Sequence, residues 1–377
     1  MSLSSRLLPG VPLVESPLFR LSLDEMELSN YERDVAIQLN ERGYAVIDFP
    51  DDDILDRVDR IKADLAPRFS VDFSKAETVK NKGDLRIQDG WKFNDDVRAI
   101  ACNAAVIDLL SKLYGRRAFP FQTLNFPVGT QQTAHSDSVH FSSIPERFMC
   151  GVWLAMEDID ENSGPLVYYP GSHRWPILYN DMLDRFADRE RGRSAQAPYE
   201  PVWLKMAEAA GIEPEYFHAR KGQALIWAAN LLHGGSRQKD LTLTRWSQVT
   251  HYYFENCTYY TPAFSDPLAG NLDIRAIRAI DSGELVENVY IDKPYRDLTA
   301  KTPAVATPAP MMKGPSPLTA AMGVMGAMIG MKADENELPA DFDPQRYYAL
   351  NSDVAAARAD AAQHYLKHGR YENRQYK

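Results

Sequence analysis

Residues 131–141 read QQTAHSDSVHF, and this stretch decides how the rest of the chain is interpreted. Its central feature is a histidine and an aspartate two residues apart, His135 and Asp137. On an extended segment such side chains point to the same face, because side chains alternate along a strand. With a second, distant histidine they would make the facial triad that holds one side of a non-haem Fe(II) and leaves the other side open. The second histidine is expected to be His233, in the run LIWAANLLHGG at 225–235. An H-x-D pair alone is common by chance, so the surrounding sequence decides whether this pair is interpreted as a metal site.

The size and charge of the chain limit the classes of protein to which it can belong. Its 377 residues, of which 45% are hydrophobic, are enough for one large core, or for one core with a small appendage. The formal net charge is −10 and the pI is about 5.4. An acidic surface argues against nucleic acid as the main partner, because the two surfaces would repel each other. The acidic surface is still compatible with the binding of a small anion in a locally basic pocket.

Cysteine usage and the lack of long apolar runs predict a cytoplasmic protein. The three cysteines, Cys102, Cys150 and Cys257, are far apart and odd in number, so neither a disulfide framework nor a zinc knuckle is expected. The N-terminal residues lack the charged region and long apolar run of a signal peptide. No run approaches the roughly 20 apolar residues of a membrane-spanning helix. We therefore expect a cytoplasmic location and no membrane span.

Periodicity in the first 115 residues predicts helices beside a β-rich region. Apolar residues at three-to-four spacing indicate a helix that begins near Ser29 and ends at Gly43. A strand at 44–49 follows, and aspartates at 51–53 are interpreted as the cap of a second helix. Residues 103–114 form a further predicted amphipathic helix.

Short strand-like runs separated by turn residues fill the middle of the chain. They lie at 119–126, 133–141, 149–156, 165–169, 223–228 and 243–253. Many short strands with turn signals are typical of a sandwich or barrel. The expected fold class is mainly β with flanking helices, around a double-stranded β-helix, the cupin-like jelly roll. Helical stretches at about 178–191 and 199–211 are interpreted as an insertion near 176–215.

The composition changes near residue 299, which indicates the end of the main domain. We expect a main domain at 1–298, a linker rich in Pro, Ala and Met at 299–336, and a small helical module at 337–377. The module is a candidate protein-interaction or oligomerisation element. His364 and His368 have the i, i+4 spacing of some metal ligands, but with no third ligand nearby they are interpreted as a surface pair.

Three features of the β-rich region occur together in one protein family. They are the His-Ser-Asp run at 135–137, the block WLAMEDIDENSGPLVYYPGSH at 153–173, and His233-Gly-Gly followed by Arg245-Trp-Ser247. With these features, residues from about 30 to 255 resemble the phytanoyl-CoA dioxygenase family of Fe(II)/2-oxoglutarate-dependent oxygenases. The middle block is the most specific of the three. The C-terminal third of the chain lies outside the resemblance.

The resemblance implies roles for individual side chains. His135, Asp137 and His233 would ligate the iron, and 2-oxoglutarate and O2 would be the co-substrates. Arg245 matches the family's position for the cation that binds the far carboxylate of 2-oxoglutarate, and a guanidinium fork suits that task. Ser247 lies on the same face of its predicted strand and is expected to add a hydrogen bond.

Further residues are candidates for the walls of the same pocket. Trp153 aligns with a tryptophan that lines the co-substrate pocket in the family, and the alternative is a plain core tryptophan. Gln122 and Asn125 lie on the preceding predicted strand, and one of them is expected to reach the inner carboxylate of 2-oxoglutarate. His140 would face away from the triad on a regular strand. If the strand ends at Ser138, His140 is a candidate substrate contact.

The remaining histidines of the β-rich region carry no predicted role. His173, in Pro-Gly-Ser-His, is not a ligand in the family and is interpreted as part of a turn. His218 and His251 match no motif, so they are interpreted as packing or surface residues.

The implied function is hydroxylation, or another oxidation of a C–H bond, with release of succinate and CO2. The substrate is expected to be a small or carrier-linked organic molecule. Relatives that halogenate carry a small residue in place of the carboxylate, whereas this chain retains Asp137. The alternative is a non-catalytic jelly-roll protein that binds a small molecule or a glycan. Such a protein is expected to lose a metal ligand or the co-substrate arginine, and this sequence has lost neither.

The segment 174–215, which contains the insertion, holds aromatic and basic side chains that allow two interpretations. They are Trp175, Tyr179, Arg185, Arg189, Arg191 and Arg193. One interpretation is a lid over an anionic substrate. The other is a solvated helix face on which the arginines pair with nearby acidic residues.

Overall fold

The chain forms two compact units, Met1–Ala300 and Lys301–Lys377. A computed structural model describes residues 3–69, 71–73, 85–187, 194–296, 342–351 and 361–365. The predicted linker at 299–336 lies outside these residues.

Helices flank the β structure of the larger unit. They are α1 (Leu3–Leu7), α2 (Phe19–Ser22), α3 (Asn30–Arg42), α4 (Ile54–Leu65), α5 (Asp95–Ala101), α6 (Ala104–Tyr114) and α7 (Glu200–Ala210).

Local capping explains where the two best predicted helices begin and end. The Ser29 hydroxyl accepts the backbone N–H of Glu32, and the Glu32 carboxylate accepts the backbone N–H of Ser29, so α3 starts with a capping box. Gly43 ends α3 in the left-handed conformation, with φ of 84°. Asn103 caps α6 at its start and Gly115 ends it. Both helix predictions are confirmed.

A six-stranded antiparallel sheet forms the centre of the larger unit. Its strands are β1 (Tyr44–Asp48), β2 (Ile87–Gln88), β3 (Ala118–Phe126), β5 (Met149–Ala155), β8 (Gln223–Ala228) and β10 (Ser247–Phe254). The spatial order is β1-β8-β5-β10-β3-β2. The strands predicted at 44–49, 119–126, 149–156 and 223–228 are confirmed with small shifts at their ends, and the strand predicted at 243–253 is confirmed from Ser247 onward.

Smaller sheets complete the β structure. Their strands are β4 (Ser142–Ile144), β6 (Leu166–Tyr168), β7 (Glu215–Phe217), β9 (His233–Gly235), β11 (Thr258–Tyr260), β12 (Ile277–Arg278), β13 (Leu285–Val286), β14 (Val289–Tyr290) and β15 (Lys293–Pro294). The three-stranded sheet has the order β7-β6-β9, and β4 pairs with β11.

The six-stranded and three-stranded sheets share one buried cluster. Trp153, Trp227 and Val249 of the large sheet contribute to it together with Leu166 and Phe217 of the small sheet. A second and larger cluster joins the other face of the large sheet to the helices. The described structure is therefore mainly antiparallel β with flanking helices.

Two predicted elements are wrong. Residues 133–141 do not form a strand: only His135 pairs, and a single 3-10 turn follows at Asp137–Val139. The Ser136 hydroxyl accepts the N–H of Ser138, a local bond that competes with strand pairing. In the described residues of the helix predicted at 178–191 there is one 3-10 turn, at Asp181–Leu183, which ends at Asp184 with φ of 51°; residues 188–191 lie outside the described part.

Within the described residues, no helix is long and apolar enough to cross a membrane.

The smaller unit is described for two short helices. α8 (Pro344–Leu350) begins after Asp343, whose carboxylate accepts the backbone N–H of Gln345. α9 spans Ala361–His364. Tyr347 is buried between them, and its hydroxyl lies 3.0 Å from Nδ1 of His364. His364 therefore packs on the neighbouring helix, while His368 lies outside the described residues.

Candidate active site

Two segments far apart in sequence meet at His135 and His233. The N–H of His135 donates to the carbonyl of His233 at 2.8 Å, and the N–H of His233 donates back at 2.9 Å. This isolated antiparallel bridge sets the two imidazole rings side by side, with their centroids 4.6 Å apart. Asp137 follows on the same segment. One donor atom from each of the three side chains lies within 4.8 Å of the others.

Glycines after His233 allow the two segments to approach closely. A Cβ atom on Gly234 would lie 2.7 Å from the carbonyl oxygen of Gln132. A Cβ atom on Gly235 would lie 2.9 Å from the hydroxyl of Thr130. The His-Gly-Gly run therefore has a packing reason, since any side chain at either position would push the two histidines apart.

Hydrogen bonds to the backbone fix which nitrogen of each ring is protonated. Nδ1 of His135 lies 3.0 Å from the carbonyl of Thr133, and Nδ1 of His233 lies 2.9 Å from the carbonyl of Leu231. A carbonyl only accepts, so each Nδ1 carries the proton and each Nε2 keeps its lone pair. The two Nε2 atoms lie 3.7 and 3.8 Å from the carboxylate oxygens of Asp137. Both lone pairs and the carboxylate thus converge.

The charge states of His135 and Asp137 suit a divalent metal. Burial, and then the neighbouring His233, lower the pKa of His135 to about 3, so its ring is neutral at pH 7. Burial opposes ionisation of Asp137, but His233, His251 and His135, with a hydrogen bond from Trp227, hold its pKa at about 2. Neutral imidazole and carboxylate in a 2:1 set are the ligands of non-haem Fe(II) oxygenases. The residues present therefore fit the metal that the sequence implies.

Arg245 is buried in the wall of the cavity that holds the three donors. This cavity of about 280 Å³ is lined by His135, Asp137, His233, Trp153 and Arg245 among others. The guanidinium is 2% exposed and donates to the carbonyl of Gly164 at 3.0 Å. Its Nε has no hydrogen-bond partner among the described residues. Its Cζ lies 5.5 Å from the centroid of the Trp153 ring.

The surroundings of Arg245 leave its charge available to a ligand. Burial lowers the pKa of Arg245 to about 10, partly offset by Glu157, so the group stays cationic at pH 7. Glu157 itself forms an ion pair with Lys62 at 2.8 Å and accepts the N–H of Trp246. A buried cation is costly unless an anion satisfies it. The far carboxylate of 2-oxoglutarate fits this position.

Ser247 lies beside Arg245 at the start of β10. Val249 and His251, the next residues of that face, line the cavity. The Ser247 hydroxyl is buried and has no hydrogen-bond partner within the described part of the chain. Its position agrees with the predicted face, although the residue does not itself line the cavity.

The two amides predicted on β3 point to opposite sides of the sheet. Gln122 lines the cavity, and its Oε1 accepts from Nδ1 of His251 at 3.0 Å. Asn125 faces the helices, where its amide donates to Gln248 at 3.2 Å and its Oδ1 lies 3.0 Å from the position of a Cβ on Gly90. Residues three apart on a strand cannot share a face. Asn125 therefore does not line the cavity, and Gln122 remains as the candidate of the predicted pair.

His140 lines the cavity because the chain leaves the extended conformation at Asp137. Its Nε2 lies 3.1 Å from Oε1 of Gln196, whose backbone belongs to the insertion. Gln132, another lining residue, donates to the same oxygen at 3.1 Å. Gln196 thus links the insertion to the cavity. Of the residues proposed for a lid, Arg189, Arg191 and Arg193 lie outside the described residues.

His173 and His218 lie apart from the cavity. His173 is buried in a 3-10 turn and its Nε2 donates to the carbonyl of Asn40 at 3.1 Å. His218 is exposed. Both positions agree with the sequence interpretation.

His251 is a cavity residue that the sequence interpretation missed. It is 4% exposed, and its Nε2 lies 3.7 Å from Oδ2 of Asp137. Burial lowers its pKa to about 4, with a small opposing effect from Asp137, so the ring is neutral at pH 7. The only sequence signal was its spacing: His251 follows Arg245 by six residues and so lies on the same face of an extended segment.

Comparison with known protein families identifies one match. The family model of phytanoyl-CoA dioxygenase (PhyH) matches residues 39–239, just over half of the chain. The peroxisomal phytanoyl-CoA dioxygenase of Rattus norvegicus is 25% identical over 125 residues. That alignment spans 33% of this chain and 34% of the rat protein, so the chain matches about a third of the length of this relative.

Solved structures with a similar fold have low sequence identity. The non-heme alpha ketoglutarate dependent carbocyclase SnoK from nogalamycin biosynthesis is 13% identical, with a TM-score of 0.48 over 66% of this chain and 94% of SnoK. EctD from S. alaskensis, solved with 2-oxoglutarate and 5-hydroxyectoine, is 17% identical, with a TM-score of 0.45 over 63% of this chain and 79% of EctD.

The family assignment rests on the match over residues 39–239, which contains the converging donors His135, Asp137 and His233. This chain belongs to the phytanoyl-CoA dioxygenase family of Fe(II)/2-oxoglutarate-dependent oxygenases.

Proposed function

We propose that this protein is an Fe(II)- and 2-oxoglutarate-dependent dioxygenase that hydroxylates a C–H bond of a small or carrier-linked organic substrate. One observation carries the proposal: three converging metal donors and a buried arginine without a hydrogen-bond partner at Nε line the same cavity. The products besides the oxidised substrate would be succinate and CO2.

His135, Asp137 and His233 would hold the iron through two Nε2 atoms and one carboxylate. Their Nδ1 bonds to backbone carbonyls keep the rings in the protonation state that binding requires. Arg245 would bind the far carboxylate of 2-oxoglutarate, with the Ser247 hydroxyl beside it. Trp153 would form the wall against which the carbon chain packs, and Gln122 is the remaining candidate for the inner carboxylate.

When bound, the iron and 2-oxoglutarate would supply the oxidising chemistry, and the protein supplies position and protection. The three donor side chains are buried, which limits the access of water to them. Asp137 occupies the third ligand position that halogenating relatives leave free, which supports hydroxylation. His140 and His251 line the side of the cavity nearest Phe141 and are the candidate substrate contacts.

The same proposal assigns the parts of the chain. Residues 1–298 would form the oxygenase domain, with the two facing sheets as its jelly-roll core. Residues 299–336 would be a linker, and 337–377 a separate helical module that contributes to interaction or oligomerisation.

The alternative is a jelly-roll protein that binds a small molecule or a glycan without oxidising it. Nothing in such a role calls for two imidazoles with free Nε2 lone pairs beside a buried carboxylate. The arrangement therefore supports the oxygenase.

Isotope labelling tests the proposed reaction. The protein is incubated with Fe(II), 2-oxoglutarate, ¹⁸O2 and a pool of small metabolites, and products are compared with those of His233→Ala. Hydroxylation predicts one compound that gains a single ¹⁸O atom in step with succinate, and no such compound with the variant. If succinate formed together with an oxidised compound that contained no ¹⁸O, the reaction would be another type of oxidation and not hydroxylation. Absence of succinate with folded wild-type protein would favour the binding protein.

A further inference from the structure

Four residues on neighbouring strands form a continuous row across the large sheet. Trp227 on β8 pairs with Gly151 on β5, Gly151 pairs with His251 on β10, and His251 pairs with Gln122 on β3. Trp227, His251 and Gln122 all line the cavity. Three residues of the row therefore belong to the wall of the cavity that holds the metal donors.

Gly151 makes room in this row for the indole of Trp227. A Cβ atom on Gly151 would lie 2.1 Å from Cζ2 and 2.4 Å from Cε2 of that indole. Such distances are far inside van der Waals contact, so even an alanine would have to displace the ring or the strand. The indole occupies the space next to Gly151 because that residue has no side chain.

In this position the indole reaches the carboxylate of the candidate metal site. Nε1 of Trp227 donates to Oδ2 of Asp137 at 2.9 Å, and both groups are buried. The ring centroid also lies 5.0 Å from that of His233. An indole N–H only donates, so the bond both satisfies one carboxylate oxygen and fixes the plane of the carboxylate.

The backbone fixes the position of Asp137, since its carbonyl accepts the N–H groups of His140 and Phe141 at 2.9 and 2.8 Å, but it does not fix the torsion of the carboxylate. The residue opens a single 3-10 turn rather than lying within a strand, and the terminal torsion of an aspartate is broad. His135 and His233 differ, because each is fixed by the reciprocal backbone bridge and by its own Nδ1 bond. The carboxylate is thus the donor whose orientation depends most on a side-chain partner.

We propose that Trp227 is a positioning residue that orients Asp137 for metal binding. Gly151 makes this possible because it has no side chain and leaves room for the indole of Trp227. This inference rests on the proposed function, since it concerns the same metal site. Second-sphere hydrogen bonds to metal ligands typically change metal affinity by about 10- to 100-fold when they are removed.

The test is an anaerobic titration with Co(II), in which visible absorption reports the ligand set and the affinity without any turnover. Trp227→Phe keeps an aromatic ring and removes only the N–H donor. It should bind Co(II) about 10- to 100-fold more weakly than the wild type and show an altered visible spectrum. Trp91→Phe is the matched control, because Nε1 of Trp91 donates to Asp89 at 3.3 Å and Trp91 does not line the cavity. Its titration should match that of the wild type.

A double-mutant comparison separates positioning from general damage to the fold. Gly151→Ala should weaken Co(II) binding in the wild type, but by much less in the Trp227→Phe background, because its effect passes through the indole. Thermal unfolding of each metal-free variant shows how much stability alone has changed.

The outcomes distinguish this inference from the proposed function. If the wild-type protein binds no Co(II), the proposed metal site is wrong, and both the positioning role and the proposed function are contradicted. A different set of results would overturn the positioning role alone. In that case the wild type binds Co(II), Asp137→Ala fails to bind it, and folded Trp227→Phe binds it with unchanged affinity and spectrum. The oxygenase proposal would then stand. Equal loss of affinity in Trp91→Phe and Trp227→Phe would also overturn it.

Discussion

Nε2 of His251 lies 3.7 Å from Oδ2 of Asp137, although the two residues belong to different segments. Nδ1 of the same ring is engaged by the Oε1 acceptor of Gln122 at 3.0 Å. Nδ1 therefore carries the proton, and the Nε2 lone pair faces the cavity. This third histidine is distinct from the three donors that converge within 4.8 Å.

We predict that His251 is not required for metal binding. His251→Ala should bind Co(II) within a few-fold of the wild-type affinity, whereas His233→Ala should lose measurable binding, because only the latter removes a converging donor. Anaerobic titration of both variants makes the comparison. A loss in His251→Ala as large as that in His233→Ala would mean that the ligand set is wrong.

Arg245 should determine the affinity for 2-oxoglutarate and leave metal affinity unchanged. Removing one partner of a buried charged pair costs roughly 2–5 kcal/mol, so Arg245→Gln should bind 2-oxoglutarate at least about 30-fold more weakly, since each 1.4 kcal/mol is about tenfold. Calorimetric titration of the metal-loaded protein measures this. Arg220→Gln, which removes a surface pair with Asp48, serves as the control and should bind like the wild type. Unchanged affinity in Arg245→Gln would exclude the proposed role.

Gly43 should be far more sensitive to substitution than Gly171. Both have φ near 85°, a conformation that costs an L-residue about 1–2 kcal/mol. A Cβ atom on Gly43 would also lie 2.5 Å from Nδ1 of His173, whereas nothing lies within 4 Å of one on Gly171. Gly43→Ala should therefore lower the free energy of unfolding by about 1–3 kcal/mol more than Gly171→Ala. Urea denaturation measures both, and equal losses would contradict the packing shown around Gly43.

Buried His173 should make the protein less stable in mild acid. Burial lowers its pKa from 6.5 to about 4, so the unfolded chain takes up a proton first as the pH falls. The stability that His173 contributes is present above pH 6.5 and is lost between pH 6.5 and 4, by up to about 3 kcal/mol. His173→Gln keeps an N–H donor for Asn40 and removes the titration, so its unfolding free energy should depend less steeply on pH in this range. If the unfolding free energies of the two proteins depended equally steeply on pH in this range, His173 would not be the group responsible.

Most of the fold could be predicted because local signals and packing agree. Residues 223–228 form β8 as predicted, since an apolar run is bounded by Gly222 on one side and a turn on the other. Helix α3 was predictable from its capping box and its terminal glycine. The strand expected at 133–141 fails because a serine hydroxyl satisfies the backbone locally, and apolar periodicity does not register such a bond.

The candidate site was predictable only as far as its motifs extend. His135, Asp137 and His233 stand in recognisable runs, and the structure brings them together. His251 matches no motif, and Trp227 has no predicted role although it lies in the same run as His233, because the relation of both residues to Asp137 arises from strand pairing between β3, β5, β8 and β10. Gln122 could have been separated from Asn125 by strand alternation alone.

The central claim is that one cavity binds Fe(II) and 2-oxoglutarate together through the triad and Arg245. The most direct measurement is anaerobic addition of Fe(II), then 2-oxoglutarate, to metal-free protein while the weak visible charge-transfer band of the chelate is recorded. We predict a band in the wild type that is absent in His233→Ala and weakened in Arg245→Gln. No band in folded wild-type protein, or an undiminished band in His233→Ala, would contradict the account.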